Sequence, residues 1–160
     1  MTLKNVPAGT YQAMKFPSAP YGLKMACGEN PKRVYGGRKT APSTRMGNVA
    51  GYRSSWIKAQ RYTDDWSEYE RKVTEQQATN TGAEGNAARV AALNKPPKRD
   101  LELETLAGVL KGDIIVHMHC YRADEMVTIM DMADEFGYQV GTFHHGVEAY
   151  KIADQLAQNG

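Results

Sequence analysis

DIIVHMHCYRADEMVTIMDMADEFGYQVGTFHHGVEAYKIADQLAQ, residues 113–158, decides the fold. Asp113-Ile114-Ile115-Val116 is a short apolar run of strand character that continues into His117-Met118-His119. A helical pattern follows from about Ala123 to Phe136, with Met126, Ile129, Met130 and Ala133 on one face. Gly137 stands where helices end. Tyr138 to Phe143 reads as a second strand running into His144-His145-Gly146, and a last helix spans about Glu148 to Gln158. Strand, helix, strand, helix requires the two strands to be parallel, and the fold class is α/β. Polar residues gather at the C-terminal ends of these strands, where α/β sheets place their active sites.

Working outward, Asp100 is a helix cap, and Leu101, Leu103, Leu106, Val109 and Leu110 supply that helix with apolar contacts up to Gly112. Residues 72–99 are polar, rich in small side chains and closed by Pro96-Pro97, which reads as a flexible, partly helical insertion. Before it, Val49, Tyr52, Trp56, Ala59, Tyr62 and Trp66 recur at helical spacing over about 44–71. Trp56 and Trp66 are therefore read as core or helix-packing residues. YGLKMA, residues 21–26, is a third strand, followed by a turn-like GENPKR. The stretch up to Pro20 reads as extended. Residues 1–160 are taken as one domain.

Twenty basic and eighteen acidic residues are scattered, which leaves no footprint for nucleic acid. No apolar run approaches the roughly 20 residues of a membrane helix, and the N-terminal residues lack a signal-peptide core. Cys27 and Cys120 stand far apart outside any CxxC spacing, so they are expected to be free thiols in a reducing, cytoplasmic setting.

All four histidines of the chain, His117, His119, His144 and His145, lie at two neighbouring strand ends. One such histidine is commonly structural; four together point to a metal such as zinc, which imidazole suits. His117 and His119 share one side of their strand, whereas alternation puts His144 and His145 on opposite sides. Tyr121, Arg122, Glu148 and Tyr150 follow the strand ends, where substrate-contacting loops begin. Each also has a plain reading as part of a helix start or the surface.

VHMHCYRADEM and FHHGVEAYKIADQL together resemble the fifth and sixth strand segments of imidazolonepropionase-like members of the amidohydrolase superfamily. GLKMACGENPKR, residues 22–33, is similar to the segment that ends the fourth strand there. The resemblance runs from about Ala13 to Gln158, including an extra helix between the fourth and fifth strands. It implies a partial (β/α)8 TIM-type barrel, roughly strand units four to six. It also implies that His119 and His145 are metal ligands, with His117 the fallback for His119, and that Lys24 is carbamylated and bridges two ions. Carbamylation turns an ammonium that can only donate into an anionic oxygen ligand. One or two zinc-like ions and a small-molecule amide or peptide substrate follow from the same resemblance.

The departures are as informative. Members of the superfamily carry an H-x-H pair on the first strand and an aspartate after the eighth, and this sequence has neither; Asp154 lies on a helix and is no substitute. The expectation is an amidohydrolase fragment that hydrolyses a C–N bond only when completed. The alternatives are a non-catalytic metal- or small-molecule-binding α/β protein, or a self-assembling module. Open sheet edges lead to homo-oligomers under each of these readings.

Overall fold

The computed structural model describes residues 9–79 and 95–159. It contains a three-stranded parallel sheet in the order β1-β2-β3, made of β1 (Tyr21–Ala26), β2 (Ile114–Cys120) and β3 (Val140–His145). The helices are α1 (Glu29–Gly37), α2 (Arg45–Thr79), α3 (Leu101–Leu110), α4 (Ala123–Phe136) and α5 (Ala153–Asn159). A short 3-10 turn, Ala149–Ile152, leads into α5.

Strand alternation gives the sheet two unlike faces. Val116, Met118 and Cys120 are fully buried and belong to the main core with Met126, Ile129, Met130 and Met132 of α4. Leu23, Met25 and Phe143 pack against the same core. The other face carries Gly22, Lys24, His117, His119, Thr142 and His144, aligned in rows by the parallel register.

Helix α2 joins this core through the predicted stripe. Trp56 and Ala59 are buried, and the Trp56 ring lies 4.4 Å from that of Tyr138. Farther along, Tyr62 donates a 3.1 Å hydrogen bond to Glu104 of α3, whose carboxylate is also gripped by Arg99 at 2.6 and 2.7 Å. Helix α4 spans the residues expected of it and closes on Gly137.

Four expectations are corrected. Helix α2 does not stop near residue 71 but continues to Thr79, into the segment expected to be a partly helical insertion. The exposed pairs Glu68–Lys72 (2.6 Å) and Arg71–Glu75 (2.7 Å) support those polar turns at i,i+4 spacing. The rest of the proposed insertion up to residue 94 lies outside the described residues. GENPKR is the start of α1 rather than a turn, and Pro31 in its first turn removes no helical hydrogen bond. The stretch before Pro20 is not extended over residues 10–19, where Ala13, Lys15 and Ala19 donate backbone bonds three residues back. Finally, Cys27 and Cys120 are joined as a disulfide with Cα atoms 5.3 Å apart. Parallel pairing of β1 with β2 brings their C-terminal ends side by side across 93 residues of sequence. The argument for a reducing compartment from free thiols falls with this correction. No helix among the described residues is long and apolar enough to cross a membrane.

The carboxylate of Asp100 accepts hydrogen bonds from the backbone of Glu102 (3.0 Å) and Leu103 (3.1 Å), so it caps α3 as expected. Asp100→Ala is expected to lower stability by about 1 kcal/mol, and Asp100→Asn to keep most of it. Urea unfolding of the three proteins checks this. Equal midpoints for Asp100→Ala and the parent chain would show that the cap contributes nothing.

Candidate functional site

The register sets the site. Lys24, His117 and Thr142 form one row across the sheet, and Ala26, His119 and His144 the next. His117 and His119 therefore face the same way, as alternation requires. The His117 ring lies over Gly22, where a Cβ would stand 2.9 Å from its Cδ2, so the missing side chain makes room for the imidazole.

The rings gather in two pairs. His117 and His144 have centroids 5.6 Å apart, with His144 Nε2 3.4 Å from His117 Nδ1. His119 and His145 are 4.5 Å apart, and Tyr121 closes a triangle with them at 4.7 and 5.4 Å. The alternation argument for His144 and His145 fails here. His145 has φ 73°, which takes it out of regular strand geometry and lets both histidines approach the group.

His119 is buried, and its Nε2 stands 2.7 Å from the side-chain amide nitrogen of Asn30. Donation by that amide makes Nε2 the acceptor and leaves the proton on Nδ1. Burial holds the His119 pKa below its ordinary value, and the charges of His145, Lys24 and His144 act in the same direction. His144 is also lowered, first by desolvation and then by Lys24, His117 and His145. Neutral imidazoles with lone pairs available are the form that ligates metal.

Imidazole nitrogens are donors that suit a zinc-like ion. The rings of His119 and His145 are 4.5 Å apart, and Lys24 lies on the adjacent row, beside His117. A cation taken by His119 Nε2 would displace the Asn30 amide, whereas one taken by Nδ1 would leave it in place.

The remaining expected residues divide. Tyr121 joins the histidines. Arg122 instead forms a two-pronged pair with Asp124 at 2.8 and 2.9 Å. Glu148 accepts from the Ala123 backbone N–H at the start of α4 (3.1 Å) and from Lys151 (2.7 Å). Tyr150 is exposed.

The sequence reading missed Asn30 and the cysteine pair. It set Glu125 with Arg122 and Asp124 as a group that could orient a ligand or the histidines, whereas its carboxylate lies beside Cys27 and Cys120. Pro31, which is at home in a first helical turn, was the available signal for the helix that presents Asn30. Nothing local announces a Cys27–Cys120–Glu125 cluster. Among the described residues it is the only trio of His, Cys or acidic side chains whose ligand atoms lie within 4.8 Å of one another.

The chain is 34% identical over 137 residues to the amidohydrolase tasK of Hapsidospora irregularis, a match that takes in 84% of this chain. The chain is homologous to amidohydrolases. Its fold agrees with that of an amidohydrolase from Thermotoga maritima at a TM-score of 0.73 and 35% identity over 93% of the chain. Both amidohydrolases are far longer: the chain spans 12% of the first and 33% of the second. No family model matches.

Proposed function

We propose that this chain contributes the fourth to sixth strand units of an imidazolonepropionase-like amidohydrolase barrel and carries part of its metal centre. The observation behind this reading is the gathering of Lys24, His117, His119 and His144 on one face of parallel strands, with the His145 ring turned to within 4.5 Å of that of His119, next to the C-terminal ends of β2 and β3. Homology to amidohydrolases supports it.

In this reading His119 and His145 hold one ion and Lys24, as its carbamate, reaches a second, with His117 as the alternative to His119. Zinc bound there supplies Lewis-acid polarisation of a substrate amide carbonyl. Asn30 orients the His119 ring, and Tyr121 walls the pair on the loop side. Arg122 and Glu148 shape the start of α4 below that loop, while exposed Tyr150 is left to contact a small amide or peptide substrate. Turnover needs proton-transfer and ligand residues that the matched segment lacks, so this chain by itself binds metal without hydrolysing amides. Among the described residues β1 and β3 are the edge strands of the sheet, and such edges promote self-association.

The test is zinc per chain by mass spectrometry, on the disulfide form, in a size-exclusion fraction prepared with zinc and bicarbonate. Near-stoichiometric zinc is expected, falling to background in His119→Ala and in His145→Ala. The chain should elute earlier than a monomer of its mass, and isotope-labelled bicarbonate should label Lys24 but not a Lys24→Ala chain. Background zinc in the unaltered chain would sink the metal-centre reading.

A further inference from the structure

Cys27 follows β1 directly and Cys120 ends β2, on the sheet side opposite His119. Both are buried, at 5% and 0% exposure. Glu125, in the first turn of α4, points its carboxylate at them. One oxygen is 2.7 Å from Arg45 Nε, and the other lies 3.8 Å from Cys27 Sγ. That carboxylate is only 12% exposed. The backbone makes room for it: at Gly28 a Cβ would stand 2.3 Å from Glu125 Oε2. The cluster borders a cavity of about 480 Å³ between α2 and α4, where Arg45, Tyr52 and Ile129 also line the wall.

We infer that Cys27, Cys120 and Glu125 form a second metal site, for a thiophilic divalent cation such as zinc, which opens when their disulfide is reduced. The three ligand atoms already lie within 4.8 Å of one another. Once the S–S bond is broken, side-chain rotation at Cys27 and Cys120 lets the sulfurs part to the roughly 3.7 Å that two zinc–sulfur bonds of about 2.3 Å at a tetrahedral angle require, with the Glu125 oxygen at about 2.0–2.2 Å. Two thiolates and a carboxylate are a donor set that zinc favours, and the cavity leaves its fourth position open to water or a ligand atom. Arg45 can keep its oxygen of Glu125 while the other oxygen turns to the ion. A carboxylate held beside two buried sulfurs thereby gains a role that the disulfide does not give it.

The chemistry balances. A phosphine reductant attacks one sulfur, the S–S bond breaks, and with one water the products are two thiols and the phosphine oxide. The cation then binds two thiolates, and two protons leave.

The test titrates cobalt(II) alone into the full chain, oxidised and phosphine-reduced, without oxygen. The reduced chain is expected to develop a saturable thiolate-to-cobalt charge-transfer band that is bleached by zinc; the oxidised chain should show none. Cys120→Ser should abolish the band, and Glu125→Gln should weaken cobalt binding roughly tenfold or more. The pair His119→Ala/His145→Ala should retain it, which separates this site from the histidine centre. Absence of the band in the reduced parent chain overturns the proposal without recourse to any variant. Its loss in the double-histidine variant, or unchanged affinity in Glu125→Gln, overturns the assignment of these three ligands.

Discussion

Trp56→Ala is expected to lower stability by about 3–5 kcal/mol, the usual range for deleting a buried aromatic side chain. Trp56 is 1% exposed and is the largest fully buried side chain described. It stacks on Tyr138 and so ties the long helix α2 to the segment between α4 and β3. Its removal leaves a cavity whose lining, including Met and Ile side chains of α4, collapses only in part. The same truncation at Trp66 should cost much less, because that ring is only half-buried and meets Tyr62 and Tyr69 at 6.3 and 5.9 Å on its own helix. Thermal unfolding of the two variants side by side checks this. Equal losses would mean that α2 is not anchored mainly at Trp56.

Gly28→Ala is expected to cost about 2–5 kcal/mol, from two separable sources. With φ 69° and ψ −124°, the backbone is in a region that side chains with a Cβ avoid. The added methyl would also overlap the Glu125 carboxylate, at 2.3 Å from Oε2. Glu125 can retreat only by giving up its place beside Arg45 and Cys27. Adding Glu125→Ala to Gly28→Ala should therefore recover the steric part and leave the backbone part, a non-additivity that denaturant titration of all four chains reads directly. Purely additive losses would mean that the carboxylate moves aside freely. The same variant should disturb the cysteine cluster before the histidines, since Gly28 adjoins Cys27.

The two results probe different kinds of information in the chain. Trp56 belongs to a stripe repeated every three or four residues, so its burial could be read from neighbours on one helix. Helix α4, its glycine terminus, the Asp100 cap and the common side of His117 and His119 were legible for the same reason: each depends on residues within a few positions. The parallel arrangement of β2 and β3 followed from the helix between them. That the turns beyond residue 71 continue α2 was not legible, because an exposed helix supported by ion pairs carries no apolar period.

What the sequence by itself determined, then, is the succession of strands and helices and the placing of its histidines at strand ends. Which histidine meets which was decided by tertiary structure. Register puts His119 level with His144, while a positive φ at His145 turns that ring to His119 instead of following alternation. The Asn30–His119 contact spans 89 positions and the Cys27–Cys120 bond 93. No periodicity reaches so far. Such pairs exist because the intervening helices cross the sheet and return the chain, in parallel, to the same edge of the same core.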